Sequence, residues 1–198
     1  MINKVSSTGK KQRVLDVACG TGLVTFELGL RRNEVIGIDV TREMLQRAVM
    51  LKKDPQRRQL DVDFVQARAE NLPLKDETFD FATISLATRN VSSVSDTFEE
   101  MSRAVRPGGL VMSMDFTRPI GNVFSSFYNF YIFQILPALG LAISRHWSGI
   151  FSYLAGSIRR SKTPEQLSSI MKSIGLEQTE IKRMTLGVTA LVSGEKSC

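Results

Sequence analysis

This chain is poor in the residues that build metal and nucleophilic centres: two cysteines and one histidine among 198 residues. Cys19 and Cys198 form neither a metal-ligand spacing nor a disulfide framework, so a reducing cytoplasm is the default compartment. A single histidine, His146, excludes a histidine-rich metal site, and no nucleophile elbow accompanies it to complete a Ser–His–acid triad. His146-Trp147 reads as loop packing and Cys19 as a small loop filler. No secretory or transit signal opens the chain. Charge of one sign never gathers into a tract. The formal net charge of +6 is spread over doublets, Arg31-Arg32, Lys52-Lys53, Arg57-Arg58 and Arg159-Arg160. These read as solvated helix ends or as a surface drawn to anionic membrane. Without a recognised nucleic-acid module beside them, nucleic acid is not an expected partner. The length suits one domain with a substantial core, residues 1–198, after a short tail at 1–12.

What is present concentrates between Arg13 and Val40. An apolar strand (Val14, Leu15, Val17) runs into a glycine loop, Ala18 to Gly22. A helix-length segment follows, then a second apolar strand, Val35 to Ile38, ending on Asp39. Small residues let the backbone approach a ligand, and the following helix aims free N–H groups at it. A carboxylate at the tip of the neighbouring strand accepts both hydroxyls of a ribose. The pattern is a nucleoside half-site, and two ligands compete for it. The dinucleotide fingerprint G-x-G-x-x-G is met by Gly20 and Gly22 but has Thr25 in third place. Asp16, inside the first strand, suits a ligand carrying an ammonium group, as the methionine part of S-adenosylmethionine does, and suits a pyrophosphate badly.

Strand signals at 13–18, 34–39, 62–66, 79–85 and 109–116 alternate with helix signals. A helix over 41–52 starts at Thr41 and carries Met44, Leu45, Ala48 and Leu51 at helical spacing. Another over 94–105 stops at Arg106-Pro107-Gly108-Gly109, a helix breaker joined to a turn. Thr163 caps a third helix with Pro164 at its first position. Strands near 176–183 and 186–193 close the chain as an antiparallel pair. The alternation predicts a mostly parallel α/β sheet with helices on both faces, and ligands at the carboxyl ends of its strands. Asp16 to Gly22, Asp39, Gln66 to Glu70 and Ser85 to Asn90 all fall there.

Between Pro119 and Ser144 the pattern breaks. This stretch holds no charged residue and is rich in phenylalanine and tyrosine. Its length could span a bilayer, but Ser125, Ser126, Asn129, Gln134 and Pro137 interrupt it. Core-covering helices and an apolar substrate pocket touching the membrane are the other two readings.

These segments resemble the class I S-adenosylmethionine-dependent methyltransferases, and among them the quinone-biosynthesis C-methyltransferases that methylate demethylmenaquinol or 2-polyprenyl-6-methoxybenzoquinol. VLDVACGTG is similar to their donor loop. VQARAENLPLKDETFDFATIS is similar to their adenine-side loop and fourth strand. ATRNV and the Arg-Pro-Gly-Gly turn are similar to their signature, and SYLAGSIRRSKTPEQL and TLGVTALVSG to later segments. The resemblance implies a Rossmann-like, mostly parallel seven-stranded sheet with an antiparallel final strand, and an acceptor-side helical insertion over 117–162. It implies C-methylation of a reduced polyprenyl quinol from S-adenosylmethionine, with no metal.

By carry-over, Thr21 and the loop backbone of Ala18, Gly20 and Gly22 meet the methionine part, and Asp39 the ribose. Arg68 and Ala69 meet adenine, Ser85 lines the donor site, and Arg89 and Asn90 position the acceptor or a catalytic water, with a structural ion pair of Arg89 to Asp115 as the other reading of that arginine. Expected partners are a lipid quinol and a peripheral membrane surface, with a homodimer as an option. Methylation of another apolar small molecule, or a non-catalytic quinone- or donor-binding subunit, stand as alternatives. Three departures from the family stand out. Arg68 replaces an Asp or Asn and cannot accept from an adenine amino group. Leu23 replaces the Asp that can partner the arginine. Only about a dozen residues precede the first strand, which fits a divergent short form, a truncated product or an open acceptor site.

Overall fold

The computed structural model describes residues 11–117, 128, 130, 135, 156–158 and 161–197. Seven strands form one sheet in the order β3-β2-β1-β4-β5-β7-β6. They are β1 (Arg13–Val17), β2 (Glu34–Asp39), β3 (Val62–Gln66), β4 (Phe79–Ser85), β5 (Val105–Phe116), β6 (Leu176–Met184) and β7 (Thr189–Lys196). The pairs β1–β2, β1–β4, β2–β3 and β4–β5 are parallel, and β7 runs antiparallel to both β5 and β6. The helices are α1 (Leu23–Leu30), α2 (Arg42–Lys52), α3 (Val94–Ala104) and α4 (Pro164–Ser173).

Strand side chains alternate between two cores, as the two-residue period requires. Leu15, Val17, Ala82, Ile84, Val111 and Val192 face one side, where Phe98 and Met101 of α3 and Leu167 and Met171 of α4 cover them. Val14, Phe81, Met112 and Leu191 face the other, under Phe26 and Leu28 of α1. Helices therefore cover both faces, and the first strand order change, β1 between β2 and β4, opens a crevice at the carboxyl ends.

Two boundaries depart from the sequence expectation. The Arg106–Gly109 turn lies inside β5 rather than before it: Val105 pairs with Phe79 and Leu110 with Phe81, so four residues bulge opposite Asp80. Gly109 is needed there, because a Cβ would sit 2.6 Å from the Asp80 carbonyl oxygen. At the other edge β7 starts three residues later than the expected 186. A 3₁₀ turn over Thr185–Gly187 places Thr185 and Leu186 at φ of 50° and 55°, a conformation their residue types do not announce. The α4 start agrees with the sequence: Thr163 accepts from Gln166 N–H and the Gln166 side chain accepts from Thr163 N–H, a reciprocal cap. Most of the 117–162 insertion lies outside the described residues.

Candidate functional site

The loops after β1, β2, β3 and β4 enclose a cleft of about 670 Å³, a volume within the range of small-molecule sites. After β1 the backbone turns sharply. Ala18 (φ 54°), Gly20 (φ 56°) and Gly22 (φ 80°) all take the left-handed conformation. The ring of Phe64 lies so close to Gly22 that a Cβ there would meet it at 2.8 Å. Gly22 is the N-cap of α1 without a side-chain cap, so the first-turn N–H groups have no local side-chain acceptor.

Asp39 ties the glycine loop to the second strand. Its Oδ2 accepts from Gly20 N–H at 2.8 Å and its Oδ1 from Thr41 N–H at 2.8 Å. A carboxylate has about four lone-pair sites, so each oxygen keeps one for a ligand. The two backbone amides fix the plane of the group, so a ligand meets a carboxylate already oriented.

On the third side, the loop after β3 is held by Arg103 of α3. This residue donates to the Leu72 and Leu74 carbonyls at 3.0 and 2.8 Å and pairs with Asp76 and Glu100. Glu100 in turn accepts from Leu72 N–H at 2.7 Å. Thus clamped, the loop presents Arg68, Ala69 and Glu70 to the cleft. Arg68 reaches across the mouth to donate to Ser92 Oγ at 2.9 Å. Glu70 accepts from Ser92 N–H at 2.6 Å and from Ser93 N–H at 3.4 Å. Burial raises the Glu70 carboxyl, but these amides and its own outweigh it and hold the group below the usual carboxylate range. The sequence reading missed Glu70 and Ser92 as a strap joining the third and fourth loops; separation in the chain hides the pair.

Of the residues expected at the donor site, Ala18, Gly20, Thr21, Asp39, Arg68, Ala69 and Ser85 line the cleft, and so does Asn90. Met44, Leu86 and Val91 join them, giving it an apolar wall. Gly22, Asp16 and Arg89 do not line it. Gly22 is buried at the foot of α1. Asp16 lies beneath the loop, 1% exposed, accepting from Thr25 Oγ1 at 2.6 Å and from Thr83 Oγ1 at 3.3 Å. Thr25, the misfit in the dinucleotide fingerprint, is thus the partner of this carboxyl.

Arg89 turns inward to Asp115. Its Nη1 lies 2.5 Å from Asp115 Oδ1, and the two side chains are 8% and 3% exposed. Arg89 Nε donates to Ser157 Oγ at 3.1 Å, and the guanidinium lies over Phe116. Asp115 also accepts from Thr88 Oγ1, Thr88 N–H and Phe116 N–H, which fills its acceptor capacity. This network closes the loop after β4 against β5 and sets Asn90 on the cleft.

Burial pushes the Cys19 thiol far above its ordinary value, with Asp16 and Asp39 adding to the effect, so it is protonated at neutral pH and is no thiolate nucleophile. Among the described residues no group of three or more His, Cys, Asp or Glu is placed to hold a metal ion.

Burial also raises the Asp16 carboxyl, from 3.8 to about 6, against the lowering effect of the Thr25 and Thr83 hydroxyls. A carboxyl raised in the folded state binds its proton more tightly there than in the unfolded chain. Its contribution to stability is full below pH 4 and is lost as pH rises through 6, a difference of about 3 kcal/mol. Asp16→Asn is therefore expected to raise unfolding free energy at pH 7.5 by about 2–3 kcal/mol and to leave it near wild type at pH 4. Denaturant titrations at the two pH values measure this, and an equal effect at both would rule out the titration.

The model of the ubiE/COQ5 methyltransferase family matches residues 1–196. A ubiquinone/menaquinone biosynthesis C-methyltransferase from Idiomarina loihiensis is 36% identical over 197 residues, covering 96% of this chain and 76% of that protein. A protein of the same description from Stutzerimonas stutzeri is 35% identical over 198 residues, covering 98% and 76%. Among solved structures, a SAM dependent methyltransferase from Aquifex aeolicus superposes with a TM-score of 0.68 at 17% identity, over 98% of this chain and 88% of that one. At that identity the likeness shows the fold, the Rossmann-like arrangement of the class I methyltransferases.

Proposed function

The chain belongs to the ubiE/COQ5 methyltransferase family, and from that membership we propose that it transfers the methyl group of S-adenosylmethionine to a ring carbon of a reduced polyprenyl quinol. The observation that carries the donor half is the Asp39 carboxylate, fixed by Gly20 and Thr41 N–H on the lip of the cleft. Its free acceptor sites suit two vicinal ribose hydroxyls, and the left-handed backbone of Ala18 and Gly20 leaves room for a ligand: a Cβ at Gly20 would meet nothing within 4 Å. The residues present therefore fit a nucleoside with an amino-acid tail.

The donor supplies an electrophilic sulfonium methyl. The carbon–sulfur bond breaks as a quinol ring carbon forms the new carbon–carbon bond, and the ring carbon's proton departs to restore the aromatic ring. The protein's part is to hold both reactants in line and keep water out. Gly20, Thr21 and Asp39 hold the donor. Asn90 reaches the same cleft as an amide that orients the acceptor or a proton-accepting water. Arg89 acts at one remove, fixing the Asn90 loop through Asp115. Leu23, where an aspartate partner for this arginine was expected, is 78% exposed. Asp115 supplies that carboxylate from β5, which favours an active enzyme over a non-catalytic subunit.

Incubation of the protein with methyl-labelled S-adenosylmethionine and either demethylmenaquinol or 2-polyprenyl-6-methoxybenzoquinol, both kept reduced, tests the proposal. Label is expected on a ring carbon of at least one. If neither is labelled while the donor still binds, the quinol reading falls and the donor site stands.

A further inference from the structure

Helix α2 is unusual among the described helices for what it leaves outside. It buries only Leu45 and Ala48. Met50 is 68% exposed, Val49 47%, Leu51 and Met44 42% each, and Val40, just before the helix, 59%. These are five of the ten large hydrophobic residues exposed among the described residues, gathered on one short segment. The stretch 40–60 also carries six cations, Arg42, Arg47, Lys52, Lys53, Arg57 and Arg58, against two carboxylates, Glu43 and Asp54. Among the described residues only Lys52 of the six is in an ion pair, with Asp63 at 3.2 Å. Arg57 lies over the Phe26 ring instead. Among the described residues the surplus charge of this face is therefore left unpaired.

We propose that α2 and the turn after it, residues 40–60, are a docking face for an anionic lipid surface. Its cations meet headgroup phosphates, and Met50 and Leu51 enter the headgroup boundary. A helix with apolar and basic residues on its open surface lies in such an interface. The alternatives fit less well. A second copy of the chain seated symmetrically on this face would set six cations against six. Nucleic acid would use the cations but gives no reason for the exposed methionine, valine and leucine side chains. Val40 and Met44 also line the cleft, so docking through this face brings the mouth of the cleft to the lipid. Delivery of a long-tailed acceptor there rests on the quinol reading; the docking itself does not.

Flotation of the full chain with phosphatidylcholine vesicles, with and without phosphatidylglycerol, tests the proposal. Binding is expected to require the anionic lipid and to fall with salt. Each cation near such a surface is worth about a fivefold change in partition. The triple variant Arg47→Gln, Lys53→Gln, Arg58→Gln should therefore bind about a hundredfold more weakly. Met50→Asp should also weaken binding severalfold. Calorimetric affinity for S-adenosylmethionine should be unchanged in both, since none of the four residues lines the cleft, which separates lost docking from lost fold. The vesicles carry no quinol, so the result bears on docking alone. Wild-type partition of either variant overturns the proposal, as does tighter binding of duplex DNA or single-stranded RNA than of vesicles at the same salt.

Discussion

Asp115→Ala is expected to be among the most damaging single substitutions in the described part of the chain, lowering unfolding free energy by about 3–5 kcal/mol. Asp115 is 3% exposed and accepts from Arg89, from the Thr88 hydroxyl and amide, and from Phe116 N–H. Its removal strands a guanidinium whose side chain is only 8% exposed, together with the Thr88 donors. Arg89→Ala is expected to cost a similar amount, because it strands the carboxylate. Replacing both, as Arg89→Met with Asp115→Leu, removes the uncompensated charge and should recover most of the stability. Activity should not return with it. Without the pair, the loop that carries Asn90 is no longer fixed against β5, so methyl transfer should stay depressed by two or more orders of magnitude while donor affinity recovers. Denaturant unfolding, calorimetry and labelled turnover on the three variants separate the two effects. A double variant that methylates normally would show that the pair only stabilises the fold, and a fully stable Asp115→Ala would remove even that role.

The contrast between Arg89 and Asn90 shows where sequence reasoning loses resolution. Both lie at the carboxyl end of β4, and a parallel sheet dictates that such residues gather near one crevice. That placement was legible because strands β2, β3 and β4 are short segments rich in valine, isoleucine and phenylalanine and bounded by turns, and they occupy the spans read from the sequence. The direction of each side chain was not legible. Arg89 turns inward to Asp115 on the next strand, 26 residues away in the chain, the ion pair that the sequence offered only as an alternative, because no periodicity decides a contact over that distance. Asp16 behaves the same way. Its position before the glycine loop suggested contact with an ammonium group, but Thr25 and Thr83 hold it beneath the loop.

The misplaced boundaries have a common cause. Pro107-Gly108-Gly109 does end α3, but the sheet absorbs the turn as a bulge because Gly109 allows the chain to pass close to the Asp80 carbonyl. Leu186 takes a positive φ and delays β7, where its residue type forecast continuous strand. Tertiary pairing overrides local propensity at both places. The uncharged stretch from Pro119 to Ser144, and the choice between pocket, core cover and membrane span, lies outside the described residues except at Tyr128, Phe130 and Ile135. Among the described residues no helix is long and apolar enough to cross a membrane.

Asp39→Ala is expected to abolish useful donor binding while leaving the fold intact. If each carboxylate oxygen accepts one ribose hydroxyl, two charge-assisted bonds are lost, each worth about 1.5–3 kcal/mol, so affinity should fall by at least a hundredfold. The same substitution frees Gly20 N–H and Thr41 N–H. Both sit at the lip of an open cleft, where water replaces the lost acceptor, so the stability cost should stay near 1 kcal/mol. Asp39→Asn should be nearly as harmful to binding. Its amide nitrogen would have to face either the Gly20 or the Thr41 N–H, donor against donor, so the side chain could not keep its orientation. A donor analogue lacking both ribose hydroxyls separates contact from loop order. It should bind the wild type poorly and lose little more on Asp39→Ala, whereas a loss as large as that of the complete donor would mean that Asp39 acts by holding the loop. Calorimetry with both ligands measures the difference, and a folded Asp39→Ala that keeps wild-type affinity for S-adenosylmethionine would remove Asp39 from the donor site.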